Sequence, residues 1–379
     1  MLVLTGIIVT LGVGWNYALN PYGAWRIALL PSVFRTVQHE RMVDPYLLRS
    51  ARPSTILLGT SRVYMGMPID QGERSGVMNA ALTAATIPQL GALTELALRT
   101  GPPRRIVWGV DFFTFDSKWN HVDADFDRRV AGNLPLKIGD TLLSLDALRD
   151  SDKMVGRARA GISRLPSTMT APIPWPDAMI CAQFRIPTKK GLENSSSTEV
   201  RNELLQDLPD YSTYQFSPDL FARFSSTIGK ARAQGIEVDL FIPAMSQYEL
   251  ELIRQAGQWQ NFQNFKRKLV KVAPFWDFSG YNQIARTDSM FMHIMHFKVP
   301  VGMEILRIVF GMDAPRCAGP ATVVAQSAQH IDAENIEAAL AMQDRLMTEA
   351  AAHESRYSRA VAESPIGRER PARDLSASK

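Results

Sequence analysis

The stretch Ser54-Thr55-Ile56-Leu57-Leu58-Gly59-Thr60-Ser61-Arg62-Val63-Tyr64-Met65-Gly66 decides the fold. Ile56, Leu57 and Leu58 form a short apolar run that stops at Gly59. A run without polar alternation suits a strand buried on both faces, as in a parallel sheet. In an open α/β sheet, ligands bind outside the carboxyl ends of the strands. A serine delivered there on a tight turn, with a guanidinium beside it, is a candidate nucleophile. The same residues have a plainer use, because Thr60 or Ser61 can cap the helix that follows. The local sequence leaves both uses open.

Outward from this stretch the chain alternates strand and helix. Val77 to Ala80 reads as a short strand. Leu90, Leu93, Leu96 and Leu98 repeat at helical spacing after Pro88, and Gly101-Pro102-Pro103 stops that helix. Arg105 to Asp111 is the next strand. A helix from Ser217 to about Gln234 precedes a strand at Ile236–Ile242. Two helical stretches, 247–256 and 259–272, lead to a last short strand and turn at 275–280, and 301–310 closes as a helix. This order predicts an α/β fold with a mostly parallel sheet, a flavodoxin-like three-layer sandwich. The domain spans 50–312, with an insertion around 112–216 that covers the sheet. Residues 313–379 read as a helix over about 332–352 and then a polar tail from Ser355, expected to be disordered.

The N-terminus reads as a separate unit. Leu2 to Leu19 carries no charged residue, and Trp15 and Tyr17 stand near its end. This is close to the ~20 residues of a membrane-spanning helix, so residues 1–22 are expected to be an uncleaved signal anchor. Arg26, Arg35 and Arg41 follow the segment and no basic residue precedes it, a charge pattern that favours a cytoplasmic domain. The 42 basic and 38 acidic residues nearly balance, and no Lys/Arg patch with interleaved aromatics points to nucleic acid. Cys181 and Cys317 have no metal-type spacing.

The second informative cluster runs from Asp288 to Gly302 and holds His293 and His296. Activating a serine needs a base within hydrogen-bond reach and a third group to orient it. Three readings compete for the two histidines: a base with an orienting neighbour, a metal pair, or partly buried polar groups among Phe291, Met292, Met295 and Phe297. A metal site needs further ligands at suitable spacing, and the sequence offers none, so no metal and no cofactor is expected.

Four ordered motifs resemble the SGNH/GDSL hydrolase-like superfamily, in particular its membrane-anchored bacterial branch linked to exopolysaccharide and cell-envelope acylation. They are Leu58-Gly59-Thr60-Ser61-Arg62, Val77-Met78-Asn79-Ala80, Gly109-Val110-Asp111-Phe112, and His296-Phe297 with Gly302; Asp277-Phe278-Ser279-Gly280 adds to them. The resemblance implies Ser61 as nucleophile, His296 as base, and an oxyanion hole from the Ser61 amide beside Gly59 with donors from the next two loops, at Asn79 and Asp111. Two positions depart from the pattern. His293 stands where the family has Asp, so Asp288 substitutes, a Ser-His dyad operates, or catalysis is lost. Asp111 stands where a neutral donor is usual, and a carboxylate would repel an oxyanion. Arg62 has two open roles, binding a substrate anion or pairing with an acidic neighbour such as Asp111.

The resemblance implies a serine esterase or O-acyltransferase for a cell-surface polysaccharide, with acetyl as one candidate acyl group. The domain would then be extracytoplasmic, on the periplasmic side of an inner membrane, with other exopolysaccharide biosynthesis proteins as partners. The alternative is a catalytically silent relative that binds polysaccharide or scaffolds a biosynthetic complex.

Overall fold

Among the described residues, six strands form one sheet and two more form a separate hairpin. The computed structural model describes residues 2–25, 27–30, 39–67, 76–121, 123–159, 191–206, 209–312, 314, 319–353 and 355–363. The elements in chain order are α1 (Leu2–Leu19), α2 (Glu40–Ala51), β1 (Thr55–Leu58), α3 (Ser61–Gly66), β2 (Val77–Asn79), α4 (Ile87–Thr100) and β3 (Arg105–Gly109). Then come α5 (Ala124–Ala131), α6 (Leu134–Ile138), α7 (Leu145–Arg159), α8 (Ser197–Gln206), α9 (Pro218–Ala233) and β4 (Glu237–Ile242). The chain continues with α10 (Gln247–Gln255), α11 (Trp259–Val272), β5 (Phe275–Asp277), β6 (Phe291–His293), β7 (His296–Phe297) and α12 (Val299–Phe310). It closes with α13 (Pro320–Ser327), β8 (Gln329–Ile331), α14 (Ile336–Ala352) and α15 (Arg356–Ala362).

The sheet runs β2-β1-β3-β4-β5-β8, with β1 to β5 paired parallel and β8 joining β5 antiparallel, and β6 and β7 make the hairpin. Ile56, Leu57 and Leu58 are fully buried, as are Ile106 and Val107 beside them. Apolar side chains facing both ways are what a sheet covered on both sides requires. Each such side chain contributes roughly 1.5–3 kcal/mol through burial. Helix α4 packs on α2 and α9, while α12 packs on α3 and α13, an arrangement compatible with three layers. Thr86 and Gln89 form a reciprocal capping box at the start of α4, with Pro88 in its first turn.

The register sets the site. Leu58 lies opposite Trp108, so β1 and β3 end side by side. Their neighbours β2 and β4 lie on opposite flanks, which makes the β1/β3 boundary the point where the strand order reverses, and in such sheets the ligand crevice opens there.

Three sequence expectations change. Among the described residues no helix is long and apolar enough to cross a membrane. Helix α1 exposes Val3, Leu4, Ile7, Ile8, Val9 and Leu11, but its last turns belong to the domain. The Trp15 indole donates to Asp152 at 3.1 Å, and Asn16 bonds the Leu142 carbonyl and Ser151. The continuously exposed part, Val3 to Leu11, therefore spans only about 14 Å at the helical rise, against a hydrocarbon core of ~30 Å. Second, the sheet does not end at 312, because β8 adds a strand from beyond it. Third, Ser355 caps a helix where a disordered tail was expected, and Tyr357 and Val361 on that helix are buried. Residues 364–379 of that tail, Cys181, Cys317, Arg26, Arg35 and residues 160–190 of the insertion lie outside the described residues. The ends of the 112–216 insertion meet in an antiparallel bridge between Asp116 and Phe216.

Candidate active site

The turn after β1 is shaped by close packing. A side chain on Gly59 or on Gly109, at the ends of β1 and β3, would collide with the same methyl group of Val63. Only glycine at both strand ends lets α3 settle onto the sheet edge. A side chain on Gly302 would strike the Gly66 carbonyl, so α12 presses on the far end of α3. Asn79 completes the clamp: its amide donates to the carbonyls of Val63 and Met67 at 3.1 and 3.0 Å.

The two uses of the Thr-Ser pair divide between the residues. Thr60 is the N-cap of α3, accepting from the Arg62 amide, and its hydroxyl donates to Asp111 at 2.7 Å. Ser61 is the first helical residue and is half-buried. Its Oγ lies 2.7 Å from Nε2 of His296.

His296 arrives on the hairpin. Antiparallel pairing sets His293 opposite His296 and Phe291 opposite Phe297, with Ile294 and Met295 in the turn. The Phe297 ring fills the space beside Gly66, which fixes the hairpin to the helix that carries Ser61. Nδ1 of His296 lies 2.9 Å from Nε2 of His293. Burial, then His293 and the Arg62 cation, hold His296 well below the usual imidazole value. A neutral His296 accepting from the Ser61 hydroxyl at Nε2 carries its proton on Nδ1 and donates it to His293. Ser61, His296 and His293 thus form one chain of hydrogen bonds. Among the described residues no group of three or more His, Cys, Asp or Glu side chains is placed to hold a metal ion.

The other predicted residues have different places. Asp288 does not orient the base; its carboxylate meets Arg356 at 2.9 Å and the Tyr357 hydroxyl at 3.0 Å. Arg62 is 1% exposed and does not face a substrate. It pairs with Asp111 at 3.0 Å and with Glu249. Burial alone would lower its proton affinity, but Glu249 and Asp111 outweigh that and hold it above its usual value. Burial raises both carboxylates, with Arg62 partly offsetting the effect. The feared repulsion from Asp111 is therefore answered locally, since its carboxylate is tied to Thr60 and Arg62. Asn79 does not serve the oxyanion either, because its amide clamps α3 and its carbonyl accepts from the Ala81 amide at 3.0 Å. The amides of Leu82 and Thr83 in the same loop are taken by the Gly59 carbonyl and Glu40. Ser61, as first helical residue, has no intrahelical acceptor for its amide.

Sequence reading missed Glu249, Tyr211 and Glu203. Glu249 follows Ser246 by three residues, a pattern that reads as an exposed helix start. Ser246 does accept from the Glu249 amide, yet the carboxylate turns inward to Arg62 and to the Tyr211 hydroxyl at 2.8 Å. Glu203 accepts from the Ile294 amide at 2.9 Å. No local signal marks either carboxylate as an inward-facing group.

The sequence matches no protein-family model and none of the curated proteins it was compared with.

Proposed function

We propose that this chain is an SGNH-like serine esterase or O-acyltransferase that removes or transfers an acyl group, acetyl in the simplest case, on a cell-surface polysaccharide. The observation that carries the reading is the 2.7 Å pair between Ser61 Oγ and His296 Nε2 at the carboxyl edge of β1. The strand order 2-1-3-4-5 within the sheet supports the finer fold, a flavodoxin-like sandwich.

In the proposed reaction Ser61 Oγ attacks the ester carbonyl carbon while its proton passes to Nε2 of His296. The carbonyl π pair moves onto oxygen, and the Ser61 amide donates to that oxyanion. Collapse of the tetrahedral adduct breaks the bond to the leaving hydroxyl oxygen, which takes the proton from His296. Water or an acceptor hydroxyl then attacks the acyl-serine by the reverse steps. Purified protein is expected to release acetate from p-nitrophenyl acetate or an acetylated glycan. Ser61→Ala or His296→Ala is expected to lower turnover by on the order of 10⁴. Turnover unaffected by Ser61→Ala would place the activity elsewhere.

One observation favours a second reading, a catalytically silent polysaccharide-binding or scaffolding relative. The β2 loop amides are occupied, and Asp111 offers no donor. A well-folded protein with no Ser61-dependent turnover on any acylated glycan would establish that alternative.

We place the domain outside the cytoplasm, held at the inner membrane by the exposed apolar part of α1, with other exopolysaccharide biosynthesis proteins nearby. Alkaline phosphatase fused after residue 30 is then expected to be active. An expressed but inactive fusion would reverse this topology.

A further inference from the structure

Single apolar side chains in the open are ordinary on a protein surface, whereas a contiguous set of them marks a contact. Among the described residues the exposed large hydrophobics gather at one pole. Outside α1 they are Ile27, Leu29, Leu134, Leu143 and Leu145, with Met342 standing apart on α14. Hydrogen bonds tie the segments that carry the five to the root of α1. The Leu29 amide donates to the Ala18 carbonyl at 2.9 Å, and Asn20 donates to the Ile27 carbonyl at 2.9 Å. Asn16 donates to the carbonyl of Leu142, the residue before Leu143, at 2.9 Å. The Trp25 indole donates to Thr141 at 2.9 Å, in the turn between α6 and α7, which begin at Leu134 and Leu145.

The character of α1 says what covers this pole. Ile7, Ile8 and Val9 are all exposed, and successive residues stand about 100° apart around a helix. The Thr10 hydroxyl is satisfied within the helix by the Gly6 carbonyl at 2.8 Å. A helix that docks on a protein surface needs one apolar stripe, while one apolar on several sides suits lipid. At its root Trp15 and Tyr17 are exposed, and the Trp25 ring centre lies 5.8 Å from that of Tyr17. Lys137 Nζ sits 4.1 Å from the Trp25 ring centre. Aromatic rings beside a lysine are the composition of a membrane–water boundary.

We propose that Ile27, Leu29, Leu134, Leu143 and Leu145 form a collar that seats in the headgroup–acyl boundary of a lipid bilayer at the root of α1. The inference rests on the membrane placement above and extends it from the helix to the folded domain. The exposed run of α1 is short for a bilayer, and the collar adds apolar contact from the domain itself. Trp15 and Asn16 fasten α1 to Asp152 and Ser151 on α7, the helix that begins at Leu145. The domain is therefore held against the lipid in one orientation and does not swing on a tether.

The test binds the full chain to phosphatidylethanolamine–phosphatidylglycerol vesicles. A bimane fluorophore is placed through Leu143→Cys, Leu145→Cys or, as the control, Met342→Cys, in a chain whose own two cysteines are replaced by serine. Lipids with a nitroxide near the headgroup end of the acyl chain are expected to quench positions 143 and 145 about threefold more than 342. Leu143→Glu combined with Leu145→Glu is expected to leave the thermal melting point unchanged and to lower the vesicle partition coefficient about tenfold. Vesicle-bound protein quenched equally at 143, 145 and 342 would overturn the collar and leave the helix anchor standing. Protein that stays off the vesicles would overturn both.

Discussion

The two halves of the site are built by different physics. The nucleophile half, Gly59 to Gly66, is held by the core: glycines at two strand ends, Val63 between them, and an ion cluster of Arg62, Asp111 and Glu249 sealed beneath it. The base half, Asp288 to Phe297, stands outside the main sheet as a two-stranded hairpin. Its polar braces come from distant segments: Glu203 on α8, Glu193 before it, and Arg356 and Tyr357 on α15. Core packing places Ser61 rigidly. His296 is placed by the buried Phe291, Ile294 and Phe297 together with these distant polar contacts, so the base is the half that outlying parts of the chain can tune.

Substitutions that probe this contrast differ in size. The largest effect on stability is expected at Arg62. Removing one partner of a buried ion pair leaves uncompensated buried charge, so Arg62→Met is expected to cost about 3–5 kcal/mol, read by chemical denaturation. A cost below 1 kcal/mol would mean that the cluster does not hold the nucleophile half. The pH dependence comes next. Because His296 is held below its unfolded value of about 6.5, the unfolded chain binds more protons just below that pH. Stability should therefore rise as pH increases toward ~6.5 and level off above it. His296→Asn should remove part of that slope. The same shift keeps the base neutral at pH 6.5, so the acid limb of kcat/KM should lie below that pH. The smallest effect is expected at Arg356, whose side chain is 63% exposed. Arg356→Ala should cost less than about 1 kcal/mol and leave kcat within a few-fold. A large loss of activity would give Asp288 a part in the base half that its geometry does not suggest.

The same contrast explains what was legible in the sequence. Buried strands announce themselves as apolar runs, so β1, β3 and β4 were readable, and the serine turn with them. The pairing of Ser61 with His296 was accessible through the resemblance carried by the ordered motifs that hold them. The contacts that brace the base are ion pairs and amide bonds across long sequence separations, and no local pattern encodes them. Asp288 looked like the orienting acid because it is near in sequence, but Arg356 and Tyr357 claim it. Glu249 sits at a helix start, where a carboxylate is ordinarily exposed, but Arg62 draws it inward. The apolar run at the N-terminus was read as a spanning helix by length. Asn16 and Trp15 tie its last turns into the domain, and hydropathy alone does not register such contacts.

The most direct measurement is mass spectrometry of the protein after brief exposure to p-nitrophenyl acetate. The account predicts a single acetyl adduct on the peptide carrying Ser61, lost in His296→Ala. An unmodified Ser61, or an adduct that forms equally well without His296, would contradict it.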